Sequence, residues 1–95
     1  MFDRVFFERD FADQMRAFAR DQKVPSPVVE FLLDDGTTLY IRSLLQTKEN
    51  WLSLSAYEED GTRQIYCPYY SIKRITLHAR SPKSAAGRDL GFQVG

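Results

Sequence analysis

Cysteine and histidine are almost missing from this chain: Cys67 and His78 are the single representatives of each among 95 residues. One cysteine excludes an intrachain disulfide, and one of each excludes the multi-ligand His/Cys sets that hold structural zinc. No metal and no cofactor is expected. Net charge is missing too, since 13 basic residues balance 13 acidic ones. No global field therefore draws the protein to nucleic acid or to a membrane, and any electrostatic partner must be attracted by a local patch. There is no apolar run long enough to cross a bilayer, no signal-peptide pattern, no Gly-rich phosphate loop and no Ser-centred nucleophile motif. Together these absences point to a reducing, cytoplasmic setting, to no membrane partner and to a protein that is not an enzyme. A Cys67 nucleophile with His78 as base can be drawn, but a small buried thiol and a strand-end histidine account for both residues more simply. At this length the chain forms one domain with a small core, a size at which oligomerisation often adds stability.

Hydrophobic periodicity organises the chain. Phe7, Phe11, Met15 and Phe18 recur at intervals of four, four and three, which at roughly 100° per residue confines them to an arc of about 80°. The spacing predicts a helix over about Glu8 to Gln22, with Arg9, Arg16, Arg20 and Lys23 on its opposite face. Pro25 and Pro27 end it. Five short segments rich in β-branched and aromatic residues follow: Val28 to Leu33, Thr38 to Leu45, Trp51 to Tyr57, Arg63 to Cys67 and Ile72 to His78. Asp35-Gly36 and Asp60-Gly61 sit in the first and third connections, where positive φ is needed for a hairpin. Within the second and third segments apolar and polar residues alternate, so each is expected to have one core face. Residues 79–95 are rich in small and polar side chains, and a disordered tail, dispensable for assembly, is expected there despite the alternation of Leu90, Phe92 and Val94. The domain is accordingly placed at residues 1–78.

The order of a helix followed by five antiparallel strands resembles the Sm-like superfamily, and its Hfq branch in having the helix first. VVEFLLDDGTTLYIRSLLQTKENWLSLSAYEED is similar to the first Sm motif, with Asp35-Gly36 at the turn, and CPYYSIKRITL is similar to the second, in which a short turn leads into Ile-x-x-Ile. The resemblance covers roughly residues 8–78. It implies a mainly β fold, a small SH3-like barrel of five antiparallel strands with an N-terminal α-helix. It also implies that the fifth strand pairs with the fourth strand of the next copy, closing a homo-oligomeric ring of about five to seven subunits. Ile65, Cys67, Ile72, Ile75 and Leu77 are the expected interface residues. A monomeric SH3-like or OB-like barrel with the isoleucines simply buried is the alternative.

Ring-forming relatives bind RNA near the pore, and here the residues depart from the pattern. Counting from Asp35-Gly36, the usual base-pocket aspartate and asparagine fall at Thr47 and Trp51, with Asn50 one place early; the usual arginine and glycine of the second motif fall at Pro68 and Tyr69. The Lys-His pair of the Hfq branch is replaced by Tyr70 and Ser71. What the two turns offer instead is Lys48 and Asn50 in one, Tyr69 and Tyr70 in the other, a set able to hold single-stranded RNA by stacking and a phosphate contact. Packing of both tyrosines at a subunit interface is the competing reading, and Trp51 is expected to cap the core. In a ring, Arg16 and Arg20 would repeat as a positive annulus, unless Asp13 and Asp21 neutralise that face. The expected function is an RNA-binding ring with a divergent site; the alternative is a non-catalytic scaffold or protein-interaction ring.

Overall fold

The structure, a computed structural model, describes residues 1–82 and 88–93. Helical backbone begins at Arg4, four residues earlier than the apolar spacing predicts. Asp3 is the reason: its Oδ1 accepts the Phe6 N–H at 2.9 Å and its carbonyl accepts the Phe7 N–H at 3.2 Å, satisfying donors that the first turn would leave open. A π-helical stretch, Phe6–Asp10, precedes α1 (Phe11–Gln22). It coincides with a cluster of rings, Phe6 to Phe7 at 5.1 Å and Phe7 to Phe11 at 5.8 Å. Phe7, Phe11 and Met15 are buried, and Phe18 half-buried, on the face that the periodicity marks. Lys23 ends the helix in the left-handed region (φ 56°), with the Val24 N–H on the Ala19 carbonyl at 3.0 Å. Among the described residues no helix is long and apolar enough to cross a membrane.

The protein is mainly β, an N-terminal helix followed by a five-stranded antiparallel sheet: β1 (Val28–Leu33), β2 (Thr38–Thr47), β3 (Trp51–Glu58), β4 (Gly61–Pro68) and β5 (Ile72–His78). β1 and β5 lie where the sequence pattern puts them, β2 and β3 run on by two residues and by one, and β4 is longer by two at its start and one at its end. Gly36 takes φ 86° in the first hairpin, and the Asp35 side chain accepts the Thr37 N–H at 2.9 Å. The spatial order is β4-β3-β2-β1-β5, consistent with an Sm-like small barrel. Register shifts bend the sheet: two in the β2–β3 ladder and one between Leu32 and Leu33 opposite β5.

The core follows from this register. Val29 faces Ile41 on one side and Leu77 on the other, and Phe31 faces Leu39 and Ile75. Val29, Phe31 and Ile41 are fully buried, each such side chain contributing about 1.5–3 kcal/mol. β3 departs from the one-face expectation: Ser53 and Ser55 are buried as well as Leu52, Leu54 and Ala56. Flanked by β2 and β4, a small hydroxyl lies low between taller neighbours, and Ser53 Oγ has no hydrogen-bond partner among the described residues.

The end of the chain corrects the sequence-based expectation. Residues 88–93 are a strap fastened to the domain. The Phe92 N–H bonds the Pro27 carbonyl at 2.9 Å, the Gln93 N–H bonds the Arg42 carbonyl at 2.6 Å, and the Tyr57 hydroxyl donates to the Gly91 carbonyl at 2.7 Å. Arg88 donates to the Glu58 carbonyl. Leu90 and Phe92 are buried, Phe92 edge-on to Phe11 at 5.5 Å, so two side chains and several backbone bonds offset an ordering cost that composition alone made appear prohibitive. Val94, the third member of that alternation, lies outside the described residues.

Phe92→Ala should lower stability by about 3 kcal/mol, the cost of truncating a buried aromatic, read as a shift of the urea midpoint. Gly91→Ala should destabilise as well, because its Cβ would stand 2.8 Å from Ser26 Cβ. Unchanged midpoints in both variants would show that the strap is not bound in solution.

Candidate functional site

Tyr69 organises the end of the domain where two turns meet. Its ring is buried and stacked on Phe7, centroids 5.7 Å apart and planes at 18°. Its hydroxyl donates to the Lys48 carbonyl at 2.7 Å and its N–H bonds the Asn50 carbonyl at 3.2 Å. One residue thus ties the β4–β5 turn (Tyr69–Ser71) to the β2–β3 turn and both to the helix. Burial first, and the Glu8 carboxylate after it, push the phenol above its ordinary range. The β2–β3 turn is closed by the Lys48 N–H on the Trp51 carbonyl at 2.8 Å. Glu8 braces it from the helix, accepting from the Thr47 hydroxyl at 2.7 Å and from Arg4 at 3.0 Å. Those two contacts, Thr47 first, hold the Glu8 carboxyl below its usual range.

Around this clasp opens a cleft of about 520 Å³ lined by Phe2, Asp3, Glu49, Asn50, Trp51 and Tyr70, with Met1, Pro68 and Tyr69 completing the wall. That volume lies within the range of small-ligand sites, and the mixture of aromatic faces with a few polar groups is typical of them. Tyr70 is 63% exposed, and the half-buried Trp51 ring lies 5.6 Å from that of Tyr66. A second depression shares Met1, Phe2 and Tyr70 and reaches Ile72 and Lys73.

Asn50, Tyr69 and Tyr70, expected at the site, do come together, but Tyr69 does so as its fastener. With its ring against Phe7 and its hydroxyl on Lys48, it presents no free face for a base. Lys48 belongs to the same turn, though its exposed side chain is not part of the lining. Trp51 lines the cleft and is absent from the core cluster, contrary to the expectation that it caps the core. Arg16 and Arg20 are elsewhere: at 1.5 Å per residue, Arg16 stands about 20 Å along the helix from Asp3, where it pairs with Asp13. Phe2, Asp3, Glu49 and Lys73 were missed by sequence reasoning. The run of aromatics at the start of the chain, Phe2, Phe6 and Phe7, was the available signal for the first.

The two chemistry-bearing rarities are both engaged. Cys67 Sγ lies 3.1 Å from Ser71 Oγ, and burial pushes its thiol up, away from the reactive thiolate. The His78 ring meets Glu30 at 2.8 Å.

Of the expected interface residues, Cys67 and Ile72 are buried in the domain's own core. Ile65 on β4 and Ile75 and Leu77 on β5 are only partly buried, each on a strand whose outer side has no strand neighbour among the described residues. No protein-family model, no curated protein and no solved structure matches this chain.

Tyr69→Phe should cost about 1 kcal/mol by denaturant unfolding at pH 8, the worth of one hydrogen bond left unmade. The raised phenol also sets a pH dependence. Its contribution is fully present below the unfolded-state value of 10.0 and is lost as pH rises through the higher folded-state value. The gap between wild type and Tyr69→Phe should therefore narrow at pH 11. A gap that is constant or wider at pH 11 would show that the phenol is not buried as described.

Proposed function

We propose that this protein is an Sm-like subunit that assembles head to tail into a homo-oligomeric ring and binds single-stranded RNA at the cleft between its two turns. The observation that carries the reading is the coincidence of open edges and cleft. β4 and β5 stand at opposite ends of the sheet, each with half-buried isoleucine facing inward, and the Tyr69–Ser71 turn that links them lines the aromatic cleft. Unpaired edges invite a further strand, and a heterologous contact that closes by rotation gives a ring. In such a ring every copy brings one cleft to the same rim. Tyr70 and Trp51 supply stacking surfaces, and Lys73 supplies the nearby positive charge for a phosphate. A scaffold ring without RNA binding is favoured by the pairing of Arg16 with Asp13 and by the two carboxylates at the cleft; the binding test below separates the two.

Light scattering at micromolar concentration should give a mass of several chains, and the mass of one chain would reject the ring. Ile75→Asp should dissociate or unfold it, since that position faces Phe31 and an unpaired carboxylate there is costly; circular dichroism separates the two outcomes. For RNA, anisotropy titrations against short single strands are expected to show binding that Tyr70→Ala weakens by about 1–3 kcal/mol with little change in salt dependence. Lys73→Gln should flatten the slope of log affinity against log salt by about 0.7, the share of one single-strand phosphate contact. Arg16→Gln with Arg20→Gln should leave that slope unchanged. An intact ring that binds no oligonucleotide is a scaffold.

A further inference from the structure

The hydrogen-bonding inventory of the cleft is lopsided, and this bears on which base it would take. Its polar side chains are Asp3, Glu49 and Asn50 from the helix start and the β2–β3 turn, with the Tyr70 hydroxyl at the exposed edge. Asp3 uses Oδ1 to cap the helix on the Phe6 N–H, leaving Oδ2 as an acceptor. Glu49 and the Asn50 side-chain amide make no hydrogen bond among the described residues. Two carboxylates accept only, whereas Asn50 both accepts and donates. Arg4 hydrogen-bonds Glu8 at 3.0 Å and lies within electrostatic reach of Glu49 without a hydrogen bond to it. The cleft therefore presents an excess of acceptors beside the flat faces of Trp51 and Tyr70.

Resting on the RNA-binding reading, we infer that the cleft selects guanine and discriminates against uracil. Guanine carries two adjacent donors, N1–H and the exocyclic amino group, which meet the two oxygens of one carboxylate in parallel, and its O6 acceptor can take the Asn50 N–H. Uracil carries a single N3–H between two carbonyl oxygens, so a carboxylate that accepts from N3–H also faces at least one oxygen of like partial charge. Adenine and cytosine bring an amino group without the second adjacent donor, and they rank between. Hydrogen bonds to an ionised partner are roughly twice as strong as neutral ones. Glu49 is the preferred partner, since both of its oxygens are open, and Asp3 is the second.

The test uses an internal probe, because Trp51 is the only tryptophan of the chain and stands in the cleft. Titration of the full-length protein with GMP, AMP, CMP and UMP, following Trp51 emission with inner-filter correction, should give GMP about tenfold tighter than UMP, the equivalent of one charge-assisted bond. Glu49→Gln should reduce that ratio to about twofold or less, and N1-methylguanosine monophosphate should lose most of the advantage of GMP. Asp3→Asn, which preserves a capping side chain, tests the second carboxylate. UMP equal to or tighter than GMP overturns the inference, as does a ratio that neither carboxylate substitution changes. If nucleotides and single-stranded RNA all fail to bind while the protein remains an intact ring, the RNA-binding reading itself falls, and this inference with it.

Discussion

A buried phenol holds the cleft end of this protein together. With its ring on Phe7, its hydroxyl on the Lys48 carbonyl and its N–H on the Asn50 carbonyl, Tyr69 joins helix, β2–β3 turn and β4–β5 turn at one point. The β3–β4 ladder, ending with Trp51 opposite Pro68, sets the two turns side by side, and the clasp fixes them to each other and to the helix. With it, Trp51, Tyr70, Asn50 and Glu49 become walls of one cleft. The helix is drawn into the same arrangement at its first turn, through Asp3 as cap and through Glu8 on Thr47. The position of the cleft thus owes much to aromatic packing.

The second constraint is topological. Because β5 pairs with β1, the strands at the two ends of the spatial order do not meet among the described residues, and both edges remain open. The side chains register this: Val29, Phe31, Ile41, Leu52 and Leu54 on interior strands are fully buried, while Ile65, Ile75 and Leu77 on the edges are only partly so. Those half-covered groups are the physical motive for the proposed ring, because a neighbouring strand would complete both the hydrogen-bond ladder and the apolar burial at once.

At the far end of the helix the strap of residues 88–93 closes the domain over Phe11 and Pro27. Its fit is tight at Gly91, where any side chain would meet Ser26. The two ends of the molecule are therefore chemically distinct, one closed by a strap and flanked by the Arg16–Asp13 pair, the other open, aromatic and rich in acceptors.

The sequence by itself determined the elements. Periodicity of four, four and three placed the helix face, alternation with Asp-Gly turns placed five strands within a residue or two, and their order implied an antiparallel sheet of the kind observed. These are local properties, set by backbone geometry and by which face of an element is apolar. Asn50 and Tyr70 were legible as exposed residues of the two turns, because turns expose what they carry. The tertiary structure alone decided the rest, since each remaining answer depends on contacts between distant segments. Tyr69 and Tyr70 are neighbours of the same type, and only packing against Phe7, sixty-two positions away, makes one a fastener and leaves the other exposed. Phe2, Asp3 and Glu49 join the cleft only when helix start and turn are brought side by side, and Arg16 stands apart from it because the helix axis carries it away. The strap gains order from carbonyls of Pro27 and Arg42 that composition could not reveal, since burial is a relation between segments and not a property of any one of them.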